Sequence, residues 1–217
     1  FKHLGVSDGL SQVCIPSIYQ DELGAVWLGT TEGLNRYNGK DVKVFQPSES
    51  NHGLTNNEIN ELCGDKNGRM YIRSGNDLIK LDIYTEQFTC LRQKGVYGLF
   101  CKKDTLWVSC ADGIYYYTGQ GTELTFFARV QKGFVGRALY VDRETVWVVT
   151  RKYLVAISRE DPLRQEILLT FDKGNCILGD SSGNIWVGAW NGLYRVSPDR
   201  ETTAYVSHSG MGGLSDN

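Results

Sequence analysis

Proline is scarce in this sequence, at 4 of 217 residues, and histidine is scarcer, at 3. So little proline beside 25 glycines excludes collagen-like and proline-rich disordered chains and points to many tight turns. No stretch approaches the ~18 uncharged apolar residues of a membrane-spanning helix. An excess of either charge is missing too: 23 basic against 25 acidic side chains leave a net charge of −2. A nucleic-acid surface would gather Lys and Arg on one face, and no such cluster occurs. What remains, 41% hydrophobic residues, suffices for one large globular domain or two small ones.

Catalytic signatures are absent as well. His3, His52 and His208 are scattered, and the sequence holds no H-E-x-x-H, no G-x-S-x-G and no phosphate-binding glycine loop. Asp112, Asp142 and Glu144 fall in turns, where solvated side chains are expected. The six cysteines (Cys14, Cys63, Cys90, Cys101, Cys110, Cys176) lack zinc-site or C-x-x-C spacing. All but Cys14 sit in strand-like runs, which suggests small buried hydrophobes, and any pairing stays open. The expectation is therefore no catalytic residue, no metal and no cofactor. The chain begins at Phe1 without a basic-then-apolar leader, so a removed signal and a piece of a longer chain are both open.

Self-similarity is what the sequence does have. Trp27, Tyr71, Trp107, Trp147 and Trp186 stand at the centres of five apolar runs, 44, 36, 40 and 39 residues apart. Seven residues after each comes an aliphatic: Leu34, Leu78, Ile114, Leu154 and Leu193. Three repeats place an Asp six residues before the aromatic and a Gly three before it: Asp21/Gly24, Asp65/Gly68 and Asp180/Gly183. A D-x-x-G step between β-rich runs reads as a hairpin turn, with Asp bonding the backbone and Gly supplying positive φ. A calcium loop would need several further oxygen ligands at set positions, and these are missing.

A third landmark links one repeat to the next: Phe1, Phe45 and Tyr205 each lie eight residues before a Gly-Leu pair at Gly9, Gly53 and Gly213. Each unit therefore reads as a first strand, a D-x-x-G turn, an aromatic strand, a short turn ending in Gly33 or Gly192 where the repeat is best kept, a third strand and an outer strand. Four short antiparallel strands in ~40 residues make one propeller blade. The predicted fold is all-β, a β-propeller of four-stranded antiparallel blades at about 9–48, 53–92, 93–131, 134–172 and 173–208. Residues 1–4 read as an orphan outer strand and 213–217 as the lead-in to another blade, so the expectation is a piece of a larger, seven-bladed ring.

The run Gly9-Leu10-Ser11, then Ile18-Tyr19-Gln20-Asp21, then Gly24-Ala25-Val26-Trp27-Leu28-Gly29-Thr30-Thr31-Glu32-Gly33-Leu34-Asn35-Arg36-Tyr37 resembles the two-component regulator propeller repeat. Asp180 to Arg195 is similar to it too, while the three middle repeats are degenerate, with Tyr71 in place of Trp. WD-type repeats would put Asp after the Trp, where Leu28, Val108, Val148 and Val187 stand here. The resemblance implies the periplasmic, ligand-sensing end of a membrane-anchored hybrid sensor histidine kinase of the Bacteroides type. It implies an oligosaccharide as ligand, a homodimeric parent, and partners in the remaining blades and downstream domains of the same chain. This segment itself would be non-catalytic and would contact no nucleic acid. Two other classes stay open: a propeller lyase or glycoside hydrolase, and a structural interaction scaffold.

One face of a propeller carries the loops between second and third strands and those joining successive blades. Where the repeat uses small turn residues, this chain has Arg73, Arg151, Lys152, Tyr153 and Trp190. Bulk set against the local rule marks candidate function. Arg73, Arg151, Tyr153, Trp190 and Asn191 are therefore the expected ligand-binding residues, with Trp190 as a platform for a sugar's C–H face. The plain alternative is that they pack a blade edge.

Overall fold

The computed structural model describes residues 3–47, 53–92, 94–131 and 134–205. The calls on Phe1, Lys2 and 213–217 lie outside the described residues; His3 and Leu4 belong to no strand. Twenty strands form five four-stranded sheets, each in chain order. The first is β1 (Ser17–Gln20), β2 (Val26–Thr30), β3 (Gly33–Tyr37) and β4 (Val42–Phe45). The second is β5 (Ile59–Gly64), β6 (Arg69–Ser74), β7 (Asp77–Asp82) and β8 (Gln87–Arg92), and the third β9 (Val96–Lys102), β10 (Thr105–Cys110), β11 (Gly113–Tyr117) and β12 (Thr125–Ala128). The fourth is β13 (Gly136–Val141), β14 (Thr145–Thr150), β15 (Tyr153–Ser158) and β16 (Gln165–Thr170). The fifth is β17 (Gly174–Gly179), β18 (Ile185–Ala189), β19 (Gly192–Val196) and β20 (Thr202–Tyr205). A 3-10 turn spans Val6–Asp8.

The chain divides into two compact units, residues 1–106 with 116–125, and residues 107–115 with 126–217. In the first, Trp27, Leu34, Ile59, Met70, Ile72 and Ile79 are fully buried and share one apolar core. In the second, Val149, Leu154, Val187 and Val196 do the same, with Trp147 nearly so. Every residue of β14 is buried, so this strand is covered on both faces and needs no polar alternation.

The repeat's Asp does more than turn the chain. Asp21 Oδ1 accepts the backbone N–H groups of Leu23 and Ala25, and its Oδ2 accepts the Trp27 indole N–H at 2.8 Å. Asp180 holds Ser182, Asn184 and the Trp186 indole in the same way, the last at 2.9 Å. The spacing of Asp to Trp is thus set by a carboxylate that serves turn and core together, which satisfies the one polar atom of a buried indole. Gly24, Gly68 and Gly183 close these turns at φ of 85°, 86° and 81°, a conformation that any Cβ strains.

Asp142 corrects its reading as a solvated turn residue: in a turn one residue shorter, it accepts the Trp147 indole N–H at 2.6 Å. In the second sheet Tyr71 has no indole N–H to give, and the corresponding Asp65 pairs with Arg69 instead. Trp27, Tyr71, Trp107 and Trp147 are buried, whereas Trp186 is only half-buried, with the Arg195 guanidinium 6.0 Å from its ring centre. The cysteines depart from the expected buried hydrophobes. Only Cys110 is buried; Cys14 and Cys176 are exposed, and Cys63, Cys90 and Cys101 are half-buried.

Candidate functional site

Counting from each central aromatic, the fourth residue onward is Thr31, Gly75, Ala111, Arg151 and Trp190. Only the fourth and fifth sheets carry bulk at this position, and the second unit brings these two residues to one cleft. It encloses about 640 Å³ between the β14–β15 turn, the start of β17 and the β18–β19 turn. Arg137, Arg151, Lys173, Asn175, Cys176 and Trp190 supply its side chains, and Gly174, Gly188 and Ala189 its backbone.

Backbone hydrogen bonds build the cleft's frame. Gly174 N donates to Arg151 O at 3.0 Å, Phe171 N to Lys152 O at 2.9 Å and Trp190 N to Asp172 O at 3.0 Å. Thr150 Oγ1 accepts Tyr153 N at 2.9 Å and donates to Tyr153 O at 3.1 Å, which locks the turn that carries Arg151. A Cβ on Gly174 would lie 2.6 Å from Thr150 O, so only glycine lets the two segments approach this closely. The frame is therefore set before any ligand arrives, which lowers the ordering cost of binding.

The electrostatics are one-sided. Among the described residues, three cations line the cleft and no carboxylate does. Among the described residues, the guanidinium groups of Arg137 and Arg151 have no hydrogen-bond or ion-pair partner. Trp190 is 78% exposed, and the Lys173 ammonium sits 4.8 Å from its ring centre. An aromatic ring of that exposure gains nothing by burial where it is. Unpaired guanidinium groups in a concavity focus positive potential and match a carboxylate or sulfate in a bidentate manner.

The five expected binding residues part company. Arg151 and Trp190 line the cleft together. Asn191 stands beside it, its Oδ1 accepting Asp172 N at 3.0 Å, so half of its amide is already used by the frame. Tyr153 packs its ring on Phe134, 4.8 Å between centres, and does not line the cleft. Arg73 belongs to the other unit, where its Nε is 3.5 Å from Glu61 Oε2 and its Nη1 donates to Gly75 O at 3.2 Å. For Tyr153 and Arg73 the packing alternative describes what the side chains do. Arg137, Lys173 and Asn175 were not among the expected residues. Lys173 ends the connection into the fifth sheet and Asn175 is the second residue of β17; the repeat has no signature at either place that could have marked them.

A larger groove of about 840 Å³ in the same unit is lined by Arg143, Glu144, Arg159, Arg164, Glu166 and Arg200, among others. It mixes both signs of charge: Arg200 pairs with Glu166, and Arg159 Nη1 donates to the backbone carbonyls of Asp142 and Arg143. Glu61 is the one described carboxyl with a strongly raised pKa. Burial pushes it up to about 7, against the opposing pull of Arg73 and the Leu99 N–H that it accepts at 3.1 Å. That carboxyl ties β5 to β9. Among the described residues no group of His, Cys, Asp and Glu is arranged to hold a metal.

Residues 9–32 match the family described as two component regulator propeller. That stretch, about a tenth of the chain, is similar to one two-component regulator propeller repeat. A 46-residue stretch, 21% of this chain and 3% of the relative, is 41% identical to Histidine kinase P4 of Formosa agariphila. Among solved structures, the extracellular domain of a hybrid two component system from B. thetaiotaomicron matches with a TM-score of 0.81 at 23% identity, over 93% of this chain and 31% of that one. Virginiamycin B lyase from Staphylococcus aureus matches with a TM-score of 0.69 at 12% identity, over 89% of this chain and 70% of that one. At such identities the structural likenesses establish a common fold, the β-propeller, for this chain. The chain spans only a small part of the kinase relative and about a third of the hybrid-system domain.

Proposed function

We propose that this propeller segment is the extracytoplasmic ligand-sensing part of a hybrid two-component sensor histidine kinase, and that its ligand is an acidic oligosaccharide held in the cleft of the second unit. The observation that carries this reading is that one cleft holds the guanidinium groups of Arg137 and Arg151 with the exposed indole of Trp190, and that among the described residues neither arginine has a partner and no carboxylate lines the cleft. Sugars offer apolar C–H faces to an aromatic ring and hydroxyls to an amide such as Asn175. A uronate or sulfate group adds the anion that arginine recognises bidentately. The family match and the kinase relative support a sensor role, and the extracellular domain of similar fold supports a periplasmic location in a membrane-anchored parent.

The described lining of the cleft offers groups that bind an anion and a sugar face, so the reading is binding rather than turnover. Signalling then rests on geometry: a ligand shifts the arrangement of two sensor chains or of neighbouring domains only by its differential affinity for the two arrangements. Calorimetric titration of a uronate-containing oligosaccharide and its neutral counterpart tests the reading. The acidic sugar should bind at least tenfold more tightly, a difference of about 1.4 kcal/mol, and Arg151→Ala should erase the preference. Equal affinity for both sugars refutes an anion site, and unsaturated or newly reducing products would establish a lyase or hydrolase instead.

A further inference from the structure

The first strands of successive sheets pack by one rule within each unit. The residue paired with the central aromatic is Tyr19 opposite Trp27, Cys63 opposite Tyr71 and Tyr140 opposite Trp147. Each reaches the residue just before the hairpin turn of the next sheet. A Cβ on Gly64 would lie 2.2 Å from Tyr19 Oη, and one on Gly179 would lie 2.1 Å from the Tyr140 ring. A large side chain on one sheet thus fills the space left by a glycine on the next.

Between β5 and β9 the same two places are both cysteine. Cys101 stands six residues before Trp107, as Val141 stands six before Trp147, and so holds the position that Gly64 and Gly179 hold ahead of their one-residue-longer turns. Cys63 Sγ and Cys101 Sγ lie 2.8 Å apart. That is longer than the ~2.05 Å of a disulfide bond but far closer than two thiols need to be, so bond formation asks for only a small further approach. No tyrosine is needed there and no glycine, because two short side chains meet halfway.

We propose that Cys63 and Cys101 are a dithiol pair that closes to a disulfide, cross-linking the second and third sheets through their first strands. The oxidant is a disulfide, of a small thiol or of a protein. One cysteine thiolate attacks a sulfur of that disulfide, forming a mixed disulfide and releasing one thiolate. The second cysteine, as thiolate, then attacks the protein sulfur of the mixed disulfide, forming Cys63–Cys101 and releasing the second thiolate. The protein loses two electrons and two protons; the oxidant becomes two thiols. Burial, the neighbouring Cys101 and the carboxylates of Glu61 and Asp65 hold the Cys63 thiol well above its ordinary pKa, so closure in the folded chain is slow and formation during folding is favoured. The other four cysteines stand apart from this arrangement: Cys14 and Cys176 are exposed, Cys110 lies in β10 and Cys90 in β8.

Refolding the chain in a glutathione redox buffer, alkylating the remaining thiols and mapping peptides by mass spectrometry without reduction tests this. The expected result is one linked peptide pair containing Cys63 and Cys101, with Cys14, Cys90, Cys110 and Cys176 alkylated. Reduction should lower the melting temperature of the same sample by roughly 5–10 °C. Recovery of Cys63 and Cys101 as alkylated thiols, as separate glutathione adducts, or bonded to other cysteines overturns the proposal. The mapping needs no variant; Cys63→Ser and Cys101→Ser, where they fold, should each abolish both the linked pair and the response of the melting temperature to reductant.

Discussion

Arg73 and Arg151 are the same residue type near the same corner of the repeat, Arg73 near the end of the second strand of the second sheet and Arg151 in the turn after the second strand of the fourth, yet they behave differently. Arg73 closes β6 facing Glu61, pairs with that carboxyl and donates to Gly75 O. Arg151 sits two positions further past its aromatic, in the turn itself, and its guanidinium meets solvent and an open cleft. Two residues along a strand separate a side chain that ties sheets together from one left available. The lesson is that charge in a repeat protein's turn carries functional meaning only after its partners are counted.

The tryptophans show the same contrast with larger consequences. Trp27 is fully buried, its N–H held by Asp21 and its ring stacked 5.7 Å from Phe45, whereas Trp190 is exposed. Trp27→Ala should cost ~3–5 kcal/mol of stability through lost transfer energy and the cavity left behind. Trp190→Ala should stay within about 0.5 kcal/mol while lowering oligosaccharide affinity. Denaturant unfolding of the two variants side by side checks this, and equal losses would dissolve the distinction between core and site.

Next in size comes the arginine pair. Arg73→Ala leaves Glu61 without its counter-charge in a half-buried setting and should destabilise the chain by about 1–2 kcal/mol. Arg151→Ala should leave the melting temperature unchanged and weaken binding of an acidic sugar. If Arg73→Ala abolishes binding with the fold intact, Arg73 belongs to the ligand site after all.

A smaller effect sharpens the first half of that comparison. The folded pKa of Glu61, about 7, lies above its unfolded value, so the contribution of this group is fully present below about pH 4.5 and is lost as pH rises through 7. With 29% of the side chain exposed, solvent screening holds the loss to on the order of 1 kcal/mol. Glu61→Gln should flatten the fall in stability between those pH values, as read from denaturant midpoints.

The smallest effect runs in the opposite direction. Hydrogen bonds from Trp186 and Asn184 hold the Asp180 carboxyl down at about 2, so its contribution is present above the ordinary carboxylate range and is lost as pH falls toward 2. Asp180→Asn should remove that acid-side loss, and a Trp186 fluorescence titration follows it directly.

The aromatic period of 36 to 44 residues, the aliphatic seven places on and the D-x-x-G step were enough to specify four-stranded blades, because each is a local requirement of strand and turn. The cleft was half legible: Trp190 and Arg151 stood out as bulk where turns are small, while Lys173 and Asn175, at the entry to β17, lie where the repeat has no signature. Sequence spacing marked the Asp as a turn residue, but its second oxygen's bond to the indole appears only when strand and turn are folded together. What the sequence by itself determined was the unit, since hairpin turns and period-two burial depend on neighbours along the chain. What only the tertiary structure decided was which charges are paired, Arg73 with Glu61 but Arg151 with none of the described residues, and which cysteines meet. Those outcomes depend on side chains 12 and 38 residues apart being brought within a few ångströms, and no local rule sets that distance.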